Sequence, residues 1–297
     1  MERSLLEPAV ATFNLSLSIF VFCLLSCILH LMKHRPRKRF GQNFLHDTGI
    51  IQNIINAIAP APGKRIVEIG PGLGALTKHL LQQAGALDVV ELDRDLIPHL
   101  ETELSALGQL HIHNVDALKF DFCALAQKDQ KPDEKLHVVG NLPYNISTPL
   151  LFHLLEQRHC IQDMYFMLQN EVVNRLAAEP GGKNYGRLSV MVQFHCKVDK
   201  LFTVPPGAFT PPPKVDSAIV RLVPYDQPPV DVNDIDTLRK VVMQAFAQRR
   251  KTLRNNLKGL LDADIIQGCG IDPGRRAETL SLEEFAALAN AVSPTKE

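Results

Sequence analysis

No excess of charge marks this chain. Its 32 Lys and Arg residues balance 32 Asp and Glu, so net charge gives no sign of a polyanionic partner, and any such partner must be sought in local clusters. Zinc-type spacing is absent too. The six cysteines (Cys23, Cys27, Cys123, Cys160, Cys196 and Cys269) are scattered, with no CxxC pair and no His-rich partner spacing. That pattern excludes a zinc framework and reads as free thiols in a reducing compartment, with no metal site expected. Internal repeats and low-complexity tracts are also missing, which excludes solenoid and fibrous architectures.

Formal charge disappears altogether between Pro8 and Met32. The run AVATFNLSLSIFVFCLLSCILHLM (residues 9–32) is long enough to cross a bilayer, which takes about 20 apolar residues. It makes a poor secretory signal, since MERSLLE carries two acids against one base and no small-x-small cleavage site precedes the basic run. As an anchor it would hold the rest in the cytoplasm through KHRPRKR. A third reading takes Met32 as the true start, with residues 1–31 a hydrophobic extension foreign to the native protein. That reading is preferred here because every feature used below follows Met32 and because a polar start suits a cytosolic protein. A membrane location is expected only if residues 9–32 are a real anchor, facing the cytoplasm from the inner membrane.

What is present is an ordinary globular composition, 45% hydrophobic and 22% charged over 297 residues, enough for one large domain or two. After Met32, short β-branched runs alternate with amphipathic stretches. RIVEIG (65–70), DVVELD (88–93), LHIHNVD (110–116) and LHVVGN (136–141) read as strands, and ALTKHLLQQ and DLIPHLETELSAL as helices between them. Such alternation predicts a parallel sheet covered on both faces. MYFMLQ (164–169), LSVMVQFHCKV (188–198) and SAIVRLVP (217–224) add strands, the last pair antiparallel at an edge. An α/β domain over 32–225 is expected, then a Pro- and acid-rich linker, YDQPPVDVND. From 235 to 292 the periodicity is helical, predicting a small all-helical C-terminal domain.

Gly70, Gly72 and Gly74 stand between the first strand and its helix, where the backbone can turn sharply and approach a ligand. Tight-turn packing would explain the glycines as well. Glu91, near the end of the next strand, is placed to accept both hydroxyls of a ribose, and Asp116, at the third strand's end, to accept from an adenine amino group. Each acid alone would be an ordinary solvated strand end, but together they describe one crevice. Ala, Leu and Thr after Gly74 suit either a dinucleotide or a methyl donor that has no phosphate.

The fourth strand end, GNLPYN (140–145), favours methyl transfer. An adenine amino group is a poor nucleophile because its lone pair is delocalised into the ring. Acceptors aimed at its N–H groups favour the pyramidal geometry and the positive charge that develop during attack. Asn141 offers its side-chain carbonyl and Leu142 its backbone carbonyl. Pro143 fixes the turn and restricts Leu142 to an extended conformation. Tyr144 supplies a flat face for an extruded base.

With RKRFGQNFL (37–45), EIGPGLGALT, ELDRDL (91–96), GNLPYNISTPLLFHL (140–154), FMLQNEVVNRL (166–176), AFTPPPKVDSAIVRLVP (208–224), AFAQRRKTLRNNL (245–257) and GIDPGRRAE (270–278), the chain resembles the bacterial small-subunit ribosomal RNA adenine N6-dimethyltransferases. The likeness covers nearly everything after Met32; the hydrophobic extension is the departure. It implies a Rossmann-like S-adenosylmethionine-dependent methyltransferase sheet, cofactor contacts at Asn43, Leu45, Gly70, Glu91, Asp116 and Asn141, and catalytic roles for Asn141, Leu142, Tyr144 and Phe209. Asn43 and Leu45 would close over the methionine end of the cofactor. Phe209, in the proline-stiffened FTPPPK loop, would be exposed as a second base-stacking face opposite Tyr144, although a core aromatic is the plainer reading of that residue.

The implied partner is the small ribosomal subunit with its 16S ribosomal RNA, met by a monomer in the cytoplasm. Two basic clusters suit it: Lys33 to Arg39, and Arg249, Arg250, Lys251, Arg254 and Lys258. Helical spacing would put Arg250 and Arg254 on one face, whereas a solvated face is the ordinary meaning of such a run. NYGRLS (184–189) is a further candidate for the substrate groove. Competing readings are a large-subunit adenine methyltransferase and an assembly factor that uses the fold without turnover. The intact Glu91, Asp116 and Asn-Leu-Pro-Tyr set argues against the second, and the RRKTLRNNL run against the first.

Overall fold

The computed structural model describes residues 42–127 and 134–292, and Asn43–Glu297 forms one compact unit. The hydrophobic run at 9–32 and the basic run at 33–39 lie outside the described residues. Among those described, no helix is long and apolar enough to cross a membrane.

A seven-stranded sheet forms the centre of the unit. Its parallel part comprises β2 (Ile66–Ile69), β3 (Ala86–Val90), β4 (Gln109–His113), β5 (Leu136–Asn141) and β6 (Ile161–Gln169). The order is β4-β3-β2-β5-β6-β9-β7, closed by the antiparallel strands β9 (Ser217–Pro224) and β7 (Cys196–Val204). Val67, Val89, Val138 and Val139 are fully buried, as expected of strands covered on both faces. The chain winds outward from β2 through β3 to β4, then returns to the other side of β2 as β5 and β6. A crevice therefore opens at the carboxyl ends of β2 and β5, the switch point of the sheet.

Helices α2 (Thr77–Ala84), α3 (Ile97–Leu104), α4 (Phe122–Gln127), α5 (Ser147–Glu156) and α6 (Asn170–Leu176) connect these strands. Ahead of them, β1 (Phe44–Leu45) leads into α1 (Thr48–Ile58). The Asp47 carboxylate caps α1 by accepting from the Ile50 N–H at 2.9 Å. Ile51, Ile54, Ile55 and Ile58 form its buried stripe, at the spacing that keeps one helical face on a core. Each contributes roughly 1.5–3 kcal/mol by its burial, so a charge at Ile55 would detach the helix.

One expected strand is mostly helix. Of LSVMVQFHCKV, residues up to His195 belong to α7 (Arg187–His195), and β7 starts only at Cys196. The Gly186 N–H donates to Ser189 Oγ at 3.1 Å and starts the helix. The run is apolar at nearly every position because α7 is covered on both sides: Val192 faces the sheet core, while Val190, Met191 and Phe194 join the core of the C-terminal helices. A continuous apolar run does not distinguish strand from helix.

The C-terminal helices are α8 (Ile235–Ala245), α9 (Leu253–Asn256), α10 (Ala263–Gly268) and α11 (Leu282–Asn290). Their core, built on Leu238, Val241, Val242, Phe285 and Leu288, is continuous with Tyr185 and the outer side of α7. Ser281 and Glu284 form a reciprocal capping box on α11, at 3.2 and 2.8 Å. The basic segment departs from its expected helical form. Arg249 and Arg250 lie in turns after α8, and Arg254 sits in the one-turn α9, so no single helix aligns Arg250 with Arg254.

The reading of all six cysteines as free thiols is also corrected. Cys123 and Cys160 are joined as a disulfide, with Cys196 and Cys269 free. A packing contact brings the pair together across 37 residues of sequence: Gln157 Oε1 accepts from the N–H groups of Phe122 and Cys123 at 2.7 and 3.2 Å, pinning α4 beside residues 158–160. His159 lies near the same pair.

Candidate functional site

The crevice at the switch point is built from strand ends. β2 ends at Ile69, and Gly70, Gly72 and Gly74 follow with φ of 66°, 59° and 83°, the left-handed region that glycine enters at no steric cost. The turn is tied down by Gly70 N–H to Val90 O and Gly74 N–H to Pro71 O, both at 2.9 Å. On the next strand, Gly140 pairs with Ile69. A Cβ on Gly140 would stand 2.6 Å from Ile69 O, and one on Gly70 would stand 3.9 Å from Asn141 O. Bare backbone thus lets the ends of β2 and β5 meet, with Asn141 beside the glycine turn.

Glu91 is the first residue after β3 and is buried. One carboxylate oxygen accepts from the Asp93 N–H at 2.7 Å and the other from the Gly72 N–H at 3.4 Å. Burial raises its pKa above the ordinary carboxylate value, and those two N–H groups oppose the rise. Asn114 Nδ2 donates to Glu91 O at 2.8 Å and fixes the backbone of this acid from the next loop. Asp116 is not the last residue of its strand, because β4 stops at His113. Its carboxylate instead accepts from the Leu118 N–H at 3.0 Å and caps the turn at Ala117–Lys119.

Asn43 reaches the same place from the start of the described chain. Asn141 Nδ2 donates to the Asn43 carbonyl at 3.1 Å. With its amide nitrogen so engaged, Asn141 keeps Oδ1 as an acceptor on the opposite side. The Leu142 side chain is buried, and its N–H donates to Met167 O at 3.2 Å. Pro143 O accepts from the Ile146 N–H at 3.1 Å, closing the turn. The Tyr144 ring is half-buried; its hydroxyl meets Ser217 Oγ at 2.8 Å, and Ser147 Oγ donates to Tyr144 O at 3.1 Å. Burial raises the phenol pKa, and the Ser217 hydrogen bond pulls the other way.

Asn43, Gly70, Glu91 and Asn141 are therefore joined through direct contacts or adjacent strand ends, with Tyr144 on the rim. Leu45 stands apart from them in packing. It pairs with Phe209 between β1 and the two-residue β8 (Phe209–Thr210), and both side chains are buried. The expected exposure of Phe209 is thus corrected, since at 2% exposure it offers no face to a base. The cause is the pairing with β1, which draws Phe209 into the core shared by Leu45, Ala208 and Val204.

Sequence reasoning missed four residues here. Phe44 lies over the glycine turn, with two ring carbons 3.3 Å from where a Cβ on Gly72 would sit. Ser217 holds Tyr144 from 73 residues away and left no local trace. Asn114 could have been found, because it is a polar residue at the same strand end as Asp116. Glu68, fully buried in β2, has a pKa raised to about 7, chiefly by burial.

The arrangement fits a nucleoside-bearing methyl donor. The glycine turn brings bare backbone beside Asn141, the buried Glu91 carboxylate is bonded to that turn through Gly72, and the Asn141 amide faces the same crevice. A family model described as ribosomal RNA adenine dimethylase matches residues 33–293. The chain is 58% identical over 262 residues to the ribosomal RNA small subunit methyltransferase A of Chromohalobacter salexigens, covering 88% of this chain and 93% of that one. It is 57% identical over 263 residues to the protein of the same name from Pseudomonas aeruginosa, covering 89% and 97%. Among solved structures, a dimethyladenosine transferase from Plasmodium falciparum superposes with a TM-score of 0.70 at 27% identity, over 82% of this chain and 95% of that one.

Proposed function

The chain belongs to the ribosomal RNA adenine dimethylase family, and from that premise we propose that it is the S-adenosylmethionine-dependent enzyme of the small subunit. It dimethylates the N6 amino groups of two adjacent adenosines near the 3′ end of 16S ribosomal RNA during small-subunit biogenesis, acting as a monomer in the cytoplasm. The observation that carries this reading is the Asn141 amide, tethered to Asn43 O at 3.1 Å beside the glycine turn. Small-subunit specificity is supported by the curated relatives, two of which are 57–58% identical over most of both chains.

In this reading Gly70, Glu91, Asp116, Asn43, Leu45 and Asn141 hold the methyl donor, which supplies an electrophilic methyl on a sulfonium. The Glu91 carboxylate accepts from ribose hydroxyls. Asn141 Oδ1 and the Leu142 carbonyl accept from the N–H groups of the target adenine, hold its nitrogen in line, and stabilise the positive charge that develops on it. Tyr144 carries the extruded base on its ring, oriented by Ser217. No strong base is needed, because the alkylated nitrogen releases its proton readily. The helical region at 235–292 and its basic segment dock on the subunit RNA.

The test is transfer of labelled methyl groups to small subunits that lack the modification, followed by mapping of the labelled nucleotides. Two adjacent N6,N6-dimethyladenosines near the 3′ end are expected. Label confined to large-subunit RNA, or binding without transfer, would overturn the reading.

A further inference from the structure

A cleft lies at the C-terminal end of α6, outside the crevice residues described above, and takes in Asn184 from the NYGRLS run. Asn174, Glu179, Lys183, Asn184 and Lys200 provide its polar side chains beside Ala177, Ala178 and Pro180, and its volume is about 530 Å³. A chain of contacts through Asn170 links its Lys200 to the catalytic loop. The Asn170 N–H, at the head of α6, donates to Asp216 O at 2.9 Å, and the next residue, Ser217, holds the Tyr144 hydroxyl.

Lys200 is aimed into this region by the sheet. The β7–β9 register slips between Lys200 and Phe202, leaving Leu201 exposed; such bulges redirect the side chains around them. Lys200 Nζ donates to Asn170 Oδ1 at 2.7 Å and to Asn174 Oδ1 at 2.8 Å, two amides one helical turn apart. An ammonium has three donors, so the third is available to a ligand on a side chain whose position is already fixed.

The far wall is tied to the helical region. Arg249 Nη2 donates to Lys183 O at 2.6 Å, Arg249 Nε meets Glu278 Oε2 at 2.9 Å, and the Gly181 N–H donates to Glu278 O at 2.7 Å. The cleft thus bridges the Tyr144 rim and the turn that carries Arg250 and Lys251. Two ammonium groups outweigh one carboxylate, the amides add donors and acceptors, and no aromatic ring lines it. That chemistry suits a phosphate and its ribose rather than a stacked base.

Resting on the function proposed above, we propose that this cleft binds one phosphate–ribose unit of the RNA strand flanking the target adenosines, with Lys200 and Lys183 as its phosphate contacts. RNA leaving the catalytic pocket would thereby be led toward the basic turn.

The test uses the full-length protein and unmethylated small subunits. Joint replacement Lys183→Gln and Lys200→Gln should raise KM for the subunit about tenfold and reduce the salt slope of log KM by up to about 0.7, one single-strand phosphate contact. The loss should fall on KM rather than kcat, with affinity for S-adenosylmethionine retained. A photoreactive benzophenone amino acid at Asn184 should cross-link to RNA near the modified adenosines. An unchanged slope, or cross-links to ribosomal protein alone, would overturn the cleft assignment while leaving the methyltransferase reading intact. No methyl transfer by the unaltered protein would overturn both.

Discussion

Asn141 and Asn43 are 98 residues apart in sequence and meet at 3.1 Å, side-chain amide to backbone carbonyl. The contact ties the wall that leads into β1 to the end of β5, and it decides which end of the Asn141 amide can meet a substrate. Since the nitrogen is engaged, the oxygen is the group presented. We therefore expect Asn141→Ala to fold normally and to lose at least about 100-fold in turnover, the usual effect of deleting one aimed transition-state partner. Asn141→Asp should also fail, because a carboxylate cannot donate to Asn43 O. Near-normal kcat in a folded Ala variant would remove Asn141 from the chemistry.

Tyr144 and Ser217 divide the rim into a ring and an orienting hydrogen bond. A neutral hydrogen bond is worth about 0.5–1.5 kcal/mol, whereas one base stack is worth about 1–3 kcal/mol. Tyr144→Phe should thus cost at most about tenfold in kcat/KM and Tyr144→Ala more. Ser217→Ala should match Tyr144→Phe, and the double variant should add nothing. A Phe variant as impaired as the Ala variant would transfer the role from ring to hydroxyl.

Sequence legibility followed locality. The strand runs 65–70, 136–141 and 217–224 were readable because β-branched residues covered on both faces leave an unbroken apolar signature, and the neighbourhood of Gly70, Glu91 and Asn141 was readable because these three sit at strand ends, unlike Asp116. Three features were hidden for the same reason: each depends on a distant partner. Phe209 is buried by pairing with Leu45, Cys123 finds Cys160 through Gln157, and Tyr144 finds Ser217. Helix α7 escaped because its second apolar side faces another helical layer rather than solvent.

The basic segment provides a prediction about affinity rather than chemistry. Arg249 is engaged by Glu278 and the Lys183 carbonyl, while Arg250 and Arg254 are exposed. Replacing Arg250 and Arg254 by Gln should lower the salt dependence of subunit binding by up to about two phosphate equivalents, with cofactor binding intact. Equal slopes for the parent and the double variant would make this segment an ordinary solvated face.

Glu68 gives the last prediction, on stability. Its carboxyl is buried in β2 and its pKa is raised from 4.5 to about 7, first by burial, with the charge of Glu91 adding to the rise and Thr77 opposing it. The folded protein thus holds this proton more tightly than the unfolded chain does. Below about pH 4.5 the group is neutral in both states and contributes no penalty; between 4.5 and 7 stability falls as pH rises. Above that window the cost levels off at on the order of 3 kcal/mol. Glu68→Gln removes the ionisation while keeping the size, so the variant should gain on the parent between pH 5 and 8 and not below. Urea unfolding of both proteins across that range measures it. A stability difference that stays flat with pH would show that Glu68 ionises as readily in the fold as in the unfolded chain.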